Sequence, residues 1–120
     1  MKYMLLIYDN ANTREYFSGP EGEPLIAEMD VLLGEIRESG ELLSTDALAD
    51  PSNTKVVRVN DGVPAVTDGP LAEAKEYFGG YLIVECETPE RAVEIATRFP
   101  SSRFTPLEVR PLMDVGGAEM

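Results

Sequence analysis

The stretch KYMLLIYD, residues 2–9, decides the fold. Side chains alternate between the two faces of a strand, and here both alternating sets are apolar. The two sets are Tyr3, Leu5 and Ile7 on one face, and Met4, Leu6 and Tyr8 on the other. A second stretch, YLIVECE at residues 81–87, has the same property. A strand that is apolar on both faces must be covered on both, so these two stretches are expected at the centre of a sheet.

Two helices are predicted between and after these strands. The first begins near Pro24 and ends at Gly40, with apolar residues at helical spacing. That stripe consists of Leu25, Ile26, Met29, Leu32, Leu33 and Ile36. The second begins at Thr88-Pro89, where Thr is a favoured N-cap and Pro a favoured first residue, and it ends before Pro100.

The remaining strands are shorter. Residues 54–60 (TKVVRVN) and 63–67 (VPAVT) flank Asp61-Gly62, which is typical of a tight hairpin turn. Residues 107–113 form a last edge strand. Residues 10–22 are predicted as a loop and 41–53 as a longer connection. Residues 68–80 are bounded by glycines and contain one possible helical turn.

The order of strand, helix, strand with hairpin, strand, helix and strand predicts an α+β fold. It matches the ferredoxin-like βαββαβ pattern with an added hairpin and an antiparallel sheet. Right-handed crossovers place both helices on one face of the sheet. On the other face Met4, Leu6, Leu82 and Val84, or their opposite-face neighbours, would lie in water. A second copy laid sheet to sheet would cover them as a dimeric α+β barrel, whereas a monomer would need its long loops to do so.

Composition restricts the classes of function. Acidic residues outnumber basic ones 22 to 10, and a net charge of −12 disfavours binding to nucleic acid or to an anionic membrane. The chain has no histidine, which excludes serine–histidine and cysteine–histidine nucleophile pairs. The one cysteine, Cys86, ends an apolar strand and is expected to be a buried, inert thiol.

The domain organisation is predicted to be simple. Residues 1–113 form a single domain and 114–120 a short, frayed C-terminal tail. No signal sequence is recognised before the first strand, so a cytoplasmic protein is expected. No cofactor or metal site is predicted, since the acidic spacing of Asp68, Glu73 and Glu76 is not diagnostic of one.

The segment at residues 67–80 is the candidate for chemistry. A polar pocket there would use Asp68 as an acid or base, with Glu73 and Lys75 tuning its charge. Tyr8, Tyr81 and Arg58 are the other candidate ligand-binding residues. A structural interpretation stays open, in which Asp68 caps a turn, Glu73 and Lys75 are solvated, and the glycines permit a tight return.

Several segments together resemble the YCII-related family, in particular its DGPF branch. They are MKYMLLIY at 1–8, VRVNDG at 57–62, TDGP at 67–70, AEAKE at 72–76, GGY at 79–81 and VRP at 109–111. The resemblance implies a dimeric α+β barrel with a cleft near the sheet, and Asp68 as its acidic residue. Wider relatives, including a dehydrochlorinase, use a histidine–aspartate pair that this histidine-free chain cannot supply. Leu71 also stands where the signature has Phe.

Two functions therefore remain open. The first is a homodimer that binds a small molecule in a cleft near the Asp68-Gly69-Pro70 segment, where any catalysis would be carboxylate acid/base chemistry. The second is a non-catalytic regulatory or interaction module. Genes of the DGPF branch often lie near those of alternative sigma factors, so the resemblance implies a regulatory role, for example in association with such a factor.

Overall fold

The computed structural model describes residues 1–71 and 74–113. Within them the chain forms six strands and three α-helices. In chain order these are β1 (Lys2–Asp9), α1 (Ala11–Ser18), α2 (Glu23–Glu38), β2 (Leu42–Ala47), β3 (Lys55–Asn60), β4 (Val63–Asp68), β5 (Tyr77–Glu85), α3 (Pro89–Arg98) and β6 (Leu107–Pro111). Glu73, part of the possible helical turn within 68–80, and the tail at 114–120 lie outside the described residues.

The main sheet has four antiparallel strands in the order β2-β5-β1-β6. The two strands that are apolar on both faces, β1 and β5, are the central ones, as the sequence predicts. Strands β3 and β4 pair only with each other within the described residues, as a separate two-stranded sheet that we call the hairpin arm. The chain therefore has the predicted ferredoxin-like α+β fold with an added hairpin.

Two segments predicted as connections contain a helix or a strand. The loop prediction for residues 10–22 is wrong, because Asn10 caps α1 by accepting a hydrogen bond from the Thr13 amide at 2.8 Å. The connection predicted over 41–53 contains the edge strand β2, whose Thr45 hydroxyl donates to the Tyr81 carbonyl at 2.9 Å. β2, and not residues 54–60, is therefore the second strand of the main sheet.

The core lies between the sheet and α2 and α3. The sheet contributes Tyr3, Leu5, Leu82 and Val84, and the helices contribute Leu32, Ile36, Ala92, Ile95 and Ala96. All nine of these side chains are buried. Cys86 is 3% exposed, which confirms its predicted burial, and burial raises the pKa of its thiol.

The other face of the sheet has no helix on it in the described part of the chain. We call it the open face; its centre consists of Met4, Leu6, Tyr81 and Ile83, all half-buried. The prediction that Leu82 and Val84 share a face with Met4 and Leu6 is wrong. The observed register places Met4 opposite Ile83 and Leu6 opposite Tyr81. Register between two apolar strands depends on their pairing, which neither strand's own pattern reveals.

Candidate functional site

Asp68 lies at the base of the hairpin arm, at the end furthest from the turn. It is the register partner of Lys55, and its carboxylate pairs with the Lys55 ammonium group. The two side chains are 86% and 66% exposed, so this is a surface ion pair of small energetic value. The next residue, Gly69, donates its amide to the Thr54 carbonyl at 2.8 Å and closes the base of the arm.

The other residues predicted for the site are dispersed. Arg58 lies on the hairpin arm, on the face opposite that of Asp68, and its side chain is exposed. Lys75 is exposed in the connection to β5, and Glu73 lies outside the described residues. Tyr8 and Tyr81 are on the open face of the main sheet. Within one chain, the structure therefore brings the two tyrosines to one face and places Asp68 and Arg58 on another sheet.

Each tyrosine of the open face is hydrogen-bonded to a carboxylate. The Tyr8 hydroxyl donates to Glu108 at 2.5 Å, and that hydrogen bond raises the pKa of Tyr8 above its ordinary value. The Tyr81 hydroxyl donates to Asp46 Oδ2 at 2.9 Å. The two carboxylates lie on β6 and β2, the edge strands, so the pairs flank the apolar centre of the open face.

A cavity of about 280 Å³ lies between the helices and the main sheet; we call it the helix–sheet cavity. Its apolar wall consists of Ile7, Phe17, Met29, Leu33 and Phe99. Its polar lining includes Asp9, Thr13, Thr45, Asp46 and Ser101, with Ala47, Gly79 and Gly80 completing it. A mostly apolar cavity with a few convergent polar groups is the usual form of a small-molecule site.

Ser101 supplies a polar group without a partner. The residue is 7% exposed, and its Oγ is buried with no hydrogen-bond partner among the described residues. A buried polar atom left unpaired costs about 1–3 kcal/mol, so such atoms are uncommon in folded proteins. Ser101 is among the residues that line the helix–sheet cavity, so a turn of its side chain toward the cavity would bring the hydroxyl to a ligand hydroxyl or carbonyl.

Two glycines let the main chain pass close to the cavity. A Cβ on Gly80 would lie 2.9 Å from the Asp46 carbonyl oxygen, and one on Gly79 would lie 3.1 Å from the Asp9 Cβ. The sequence predicts that Gly79-Gly80 permit a close approach. In the structure the approaching groups are the β2 backbone and the Asp9 side chain.

The charge around the cavity is negative. Asp9 lines it, and none of its described lining residues is basic, whereas the Asp46 carboxylate is bonded to Tyr81 on the open face. The Asp9 carboxylate would therefore repel an anionic ligand, with no positive charge to compensate, and would not repel a neutral one. The chain's net charge of −12 acts in the same direction.

A second, more open groove of about 400 Å³ lies at the base of the hairpin arm. Its apolar lining includes Leu48, Pro51, Pro70, Tyr77 and Phe78. Pro70 belongs to the Asp68-Gly69-Pro70 segment, so this groove lies beside the cleft position predicted from the sequence. Asp68 itself is not among its lining residues.

Asp9, Thr13 and Ser101 of the helix–sheet cavity are not predicted from the sequence pattern. Asp9-Asn10 could have been identified as a helix start, since Asn is a strong N-cap. Ser101 carries no comparable signal, because its burial depends on elements that are distant in the sequence. No group of three or more acidic, histidine or cysteine side chains in the described ranges could hold a metal ion. None of the helices described is long and apolar enough to span a membrane.

Comparison with known proteins covers nearly the whole chain. The family model described as "YCII-related domain" matches residues 1–115. An uncharacterised protein of Rhizobium meliloti (strain 1021) is 26% identical over 114 residues. That alignment spans 93% of this chain and 92% of the relative.

Proposed function

The chain belongs to the YCII-related domain family, and from this premise we propose that it is a homodimer that binds a small neutral molecule in the helix–sheet cavity. The observation that carries the ligand proposal is the buried, unpartnered Ser101 hydroxyl in the lining of that cavity. The observation that supports the homodimer is the apolar open face.

The homodimer follows from the layers of the molecule. Its shortest dimension is 19 Å, which accommodates one helix layer and one sheet layer at about 10 Å each. Met4, Leu6 and Ile83 are the apolar centre of the face that lacks a second layer. A second copy would cover this face and its own equivalent face at once, as a two-fold interface does. Because each copy carries a charge of −12, added salt should strengthen the association.

The size and lining of the cavity define the class of ligand. At about 280 Å³ it is slightly smaller than the roughly 300–1,000 Å³ of sites for drug-sized molecules. The apolar wall favours an aromatic or alicyclic body. Ser101 can donate a hydrogen bond and the Asp9 carboxylate can accept one, so a hydroxyl group on the ligand, which both donates and accepts, would suit either residue.

Three finer predictions remain proposals. Acid/base catalysis by Asp68, tuned by Glu73 and Lys75, is retained as a proposal, although Asp9 is the carboxylate beside this cavity. Tyr8, Tyr81 and Arg58 are proposed to meet a ligand only where a second copy brings the open face and the hairpin arm together. Membership of the DGPF branch rests on the Asp68-Gly69-Pro70 segment and stays a prediction.

The test uses three probes of similar size: phenol, toluene and benzoate. Binding is followed by the chemical shift of the Met29 methyl group, which lies in the apolar wall. Phenol and toluene should shift it, and benzoate should do so only weakly. Ser101→Ala should weaken phenol about three- to tenfold by removing one hydrogen bond, and leave toluene unchanged. Asp9→Asn should strengthen benzoate.

Ser102→Ala is the matched control. Ser102 is the neighbouring serine, its hydroxyl donates to the Thr97 carbonyl at 3.1 Å, and it is not among the cavity's lining residues. It should leave the binding of all three probes unchanged. The proposal is wrong if neither phenol nor toluene moves the Met29 methyl at millimolar concentration. The proposed hydrogen bond to the Ser101 hydroxyl is wrong if Ser101→Ala and Ser102→Ala change the affinity for phenol equally.

The alternative function is a regulatory module that binds an alternative sigma factor. The observation that favours it is the charge of −12, which suits a basic protein surface. Co-purification with a candidate sigma factor at low salt, lost at high salt, would support this alternative. If the purified proteins stay separate at low salt, while phenol occupies the cavity, the alternative fails.

A further inference from the structure

The hairpin arm has one face that is wholly apolar at its centre. In the observed register Val57 pairs with Val66 and Val59 pairs with Pro64, so these four side chains share a face. The three valines are 62–63% exposed, and Pro64 is exposed as well. The opposite face carries Arg58, Asn60, Val63 and Ala65, and is mixed. We call the first of these the valine face.

An arm of this kind needs a partner. An isolated two-stranded hairpin is marginally stable in water, and a stable one needs further strands or packing against another element. In the described part of the chain, β3 and β4 pair with no third strand. Val56, on the mixed face, is half-buried near Thr54 and Gly69 at the arm's base, whereas the valine face is open along its length.

We propose that the valine face packs on a second copy of this chain, so that each arm clasps the other protomer. This inference rests on the homodimer proposed above and adds a second contact to the one through the open face. The occupant is a second copy because the sheet face alone would make a dimer interface of small footprint, which the arms would enlarge.

The areas can be compared from strand geometry. Four strands about 4.8 Å apart, with about six residues each at about 3.4 Å, give the open face a footprint of about 400 Å². A stable dimer buries about 800 Å² of accessible surface on each partner, and accessible surface is larger than the flat footprint of the same contact. One face of a two-stranded arm of the same length has a footprint of about 200 Å². Each protomer both extends an arm and receives one, so the arms add about another 400 Å² of footprint and double the contact.

The experiment measures the dimer dissociation constant, Kd, by sedimentation equilibrium for the wild type and five variants. Val57→Lys and Val66→Lys place a charge on the valine face. Val63→Lys is the matched control, because Val63 is 66% exposed on the same arm but on its mixed face. We expect the first two substitutions to raise Kd at least tenfold, and the control to change it less than threefold. Val57→Thr, which keeps the shape and the strand preference, should raise Kd in the same direction.

The outcomes separate this inference from the homodimer itself. A wild-type protein that is monomeric at all concentrations overturns both. The clasp alone is overturned if the wild type is a dimer, Ile83→Lys on the open face raises its Kd, and Val66→Lys changes Kd as little as Val63→Lys does. A selective response to the valine-face variants supports the clasp. Circular dichroism of each variant monitors folding, which these exposed positions should leave intact.

Discussion

The close approach at Gly80 can be tested by adding one methyl group. In Gly80→Ala the new Cβ would lie 2.9 Å from the Asp46 carbonyl oxygen and 3.3 Å from the Ala47 Cα. Both are backbone atoms of β2, so no side chain can rotate to make room. The strand pair must separate or slide, and the helix–sheet cavity must change shape with it, because Gly80, Asp46 and Ala47 all line it.

The magnitude follows from the cost of overpacking. Forcing an extra methyl group into a packed site costs about 1–3 kcal/mol, with backbone displacement at the upper end. Gly34 offers a matched control, because it lies within α2 and a Cβ there would meet nothing within 4 Å. Gly34→Ala should stabilise the protein by about 0.5–1 kcal/mol, since Ala loses less backbone entropy in a helix. The change from Gly to Ala should therefore lower the free energy of unfolding at position 80 and raise it at position 34.

The assay is urea unfolding of the three proteins at one fixed protein concentration, because the stability of a dimer depends on concentration. A change in midpoint at constant slope reports the change in free energy of unfolding. Gly80→Ala should have a lower midpoint than wild type and Gly34→Ala a higher one. If Gly80→Ala unfolds at the wild-type midpoint, the β2–β5 approach is looser than the structure shows.

Three other predictions concern local contacts. The Arg91 guanidinium holds the pKa of Glu41 below its ordinary 4.5. Because the pKa is lower in the folded state, the ionised Glu41 stabilises the fold above pH 4.5, and this stabilisation is lost as the pH falls through the folded-state pKa. Wild type should thus lose more urea stability than Glu41→Gln between about pH 6 and about pH 3. The pKa of Tyr8 is raised above 10.0, so the hydrogen bond of its protonated hydroxyl stabilises the fold below that pH, and the stabilisation is lost as the pH rises through the folded-state pKa. Glu108→Gln should lower the pKa of Tyr8 measured by phenolate absorbance. Thr88→Ala removes the hydroxyl that accepts from the Arg91 amide at 3.2 Å and should cost about 1 kcal/mol in urea unfolding, while Thr88→Ser should not.

Local signals predicted the elements that depend on local chemistry. The helix at Thr88-Pro89 begins where the sequence indicates, because the N-cap and the fixed φ of proline act within a few residues. The central position of β1 and β5 also followed from their own residues, since each is apolar on both faces.

Other elements depend on distant contacts. The aromatic residues of α1, Tyr16 and Phe17, pack on Phe104, with ring centroids 5.4 and 6.0 Å apart from it. β2 contains a polar Ser-Thr-Asp stretch, and its strand structure is supported by pairing with β5. Neither contact can be inferred from the segment's own pattern, because the partners lie tens of residues away.

The candidate site shows the same division. The sequence motif around Asp68 is conspicuous, yet the structure places that carboxylate on an exposed arm, paired with Lys55. The helix–sheet cavity is formed by α1, α2, the main sheet and the turn after α3. The burial of Ser101 there results from tertiary packing, for which single-sequence reasoning has no signal.

The central claim is that a second copy covers the open face, and the Ile83 methyl group tests it most directly. Ile83 is half-buried in one chain, whereas Ile36 and Ile95 are fully buried and Ile26 is 38% exposed on α2. Isoleucine methyl NMR with a soluble paramagnetic agent ranks these four positions by access to solvent. At high protein concentration Ile83 should be as protected as Ile36 and Ile95, and should lose that protection on dilution. If the paramagnetic relaxation of the Ile83 methyl lies between those of Ile95 and Ile26 at every protein concentration, the account is contradicted.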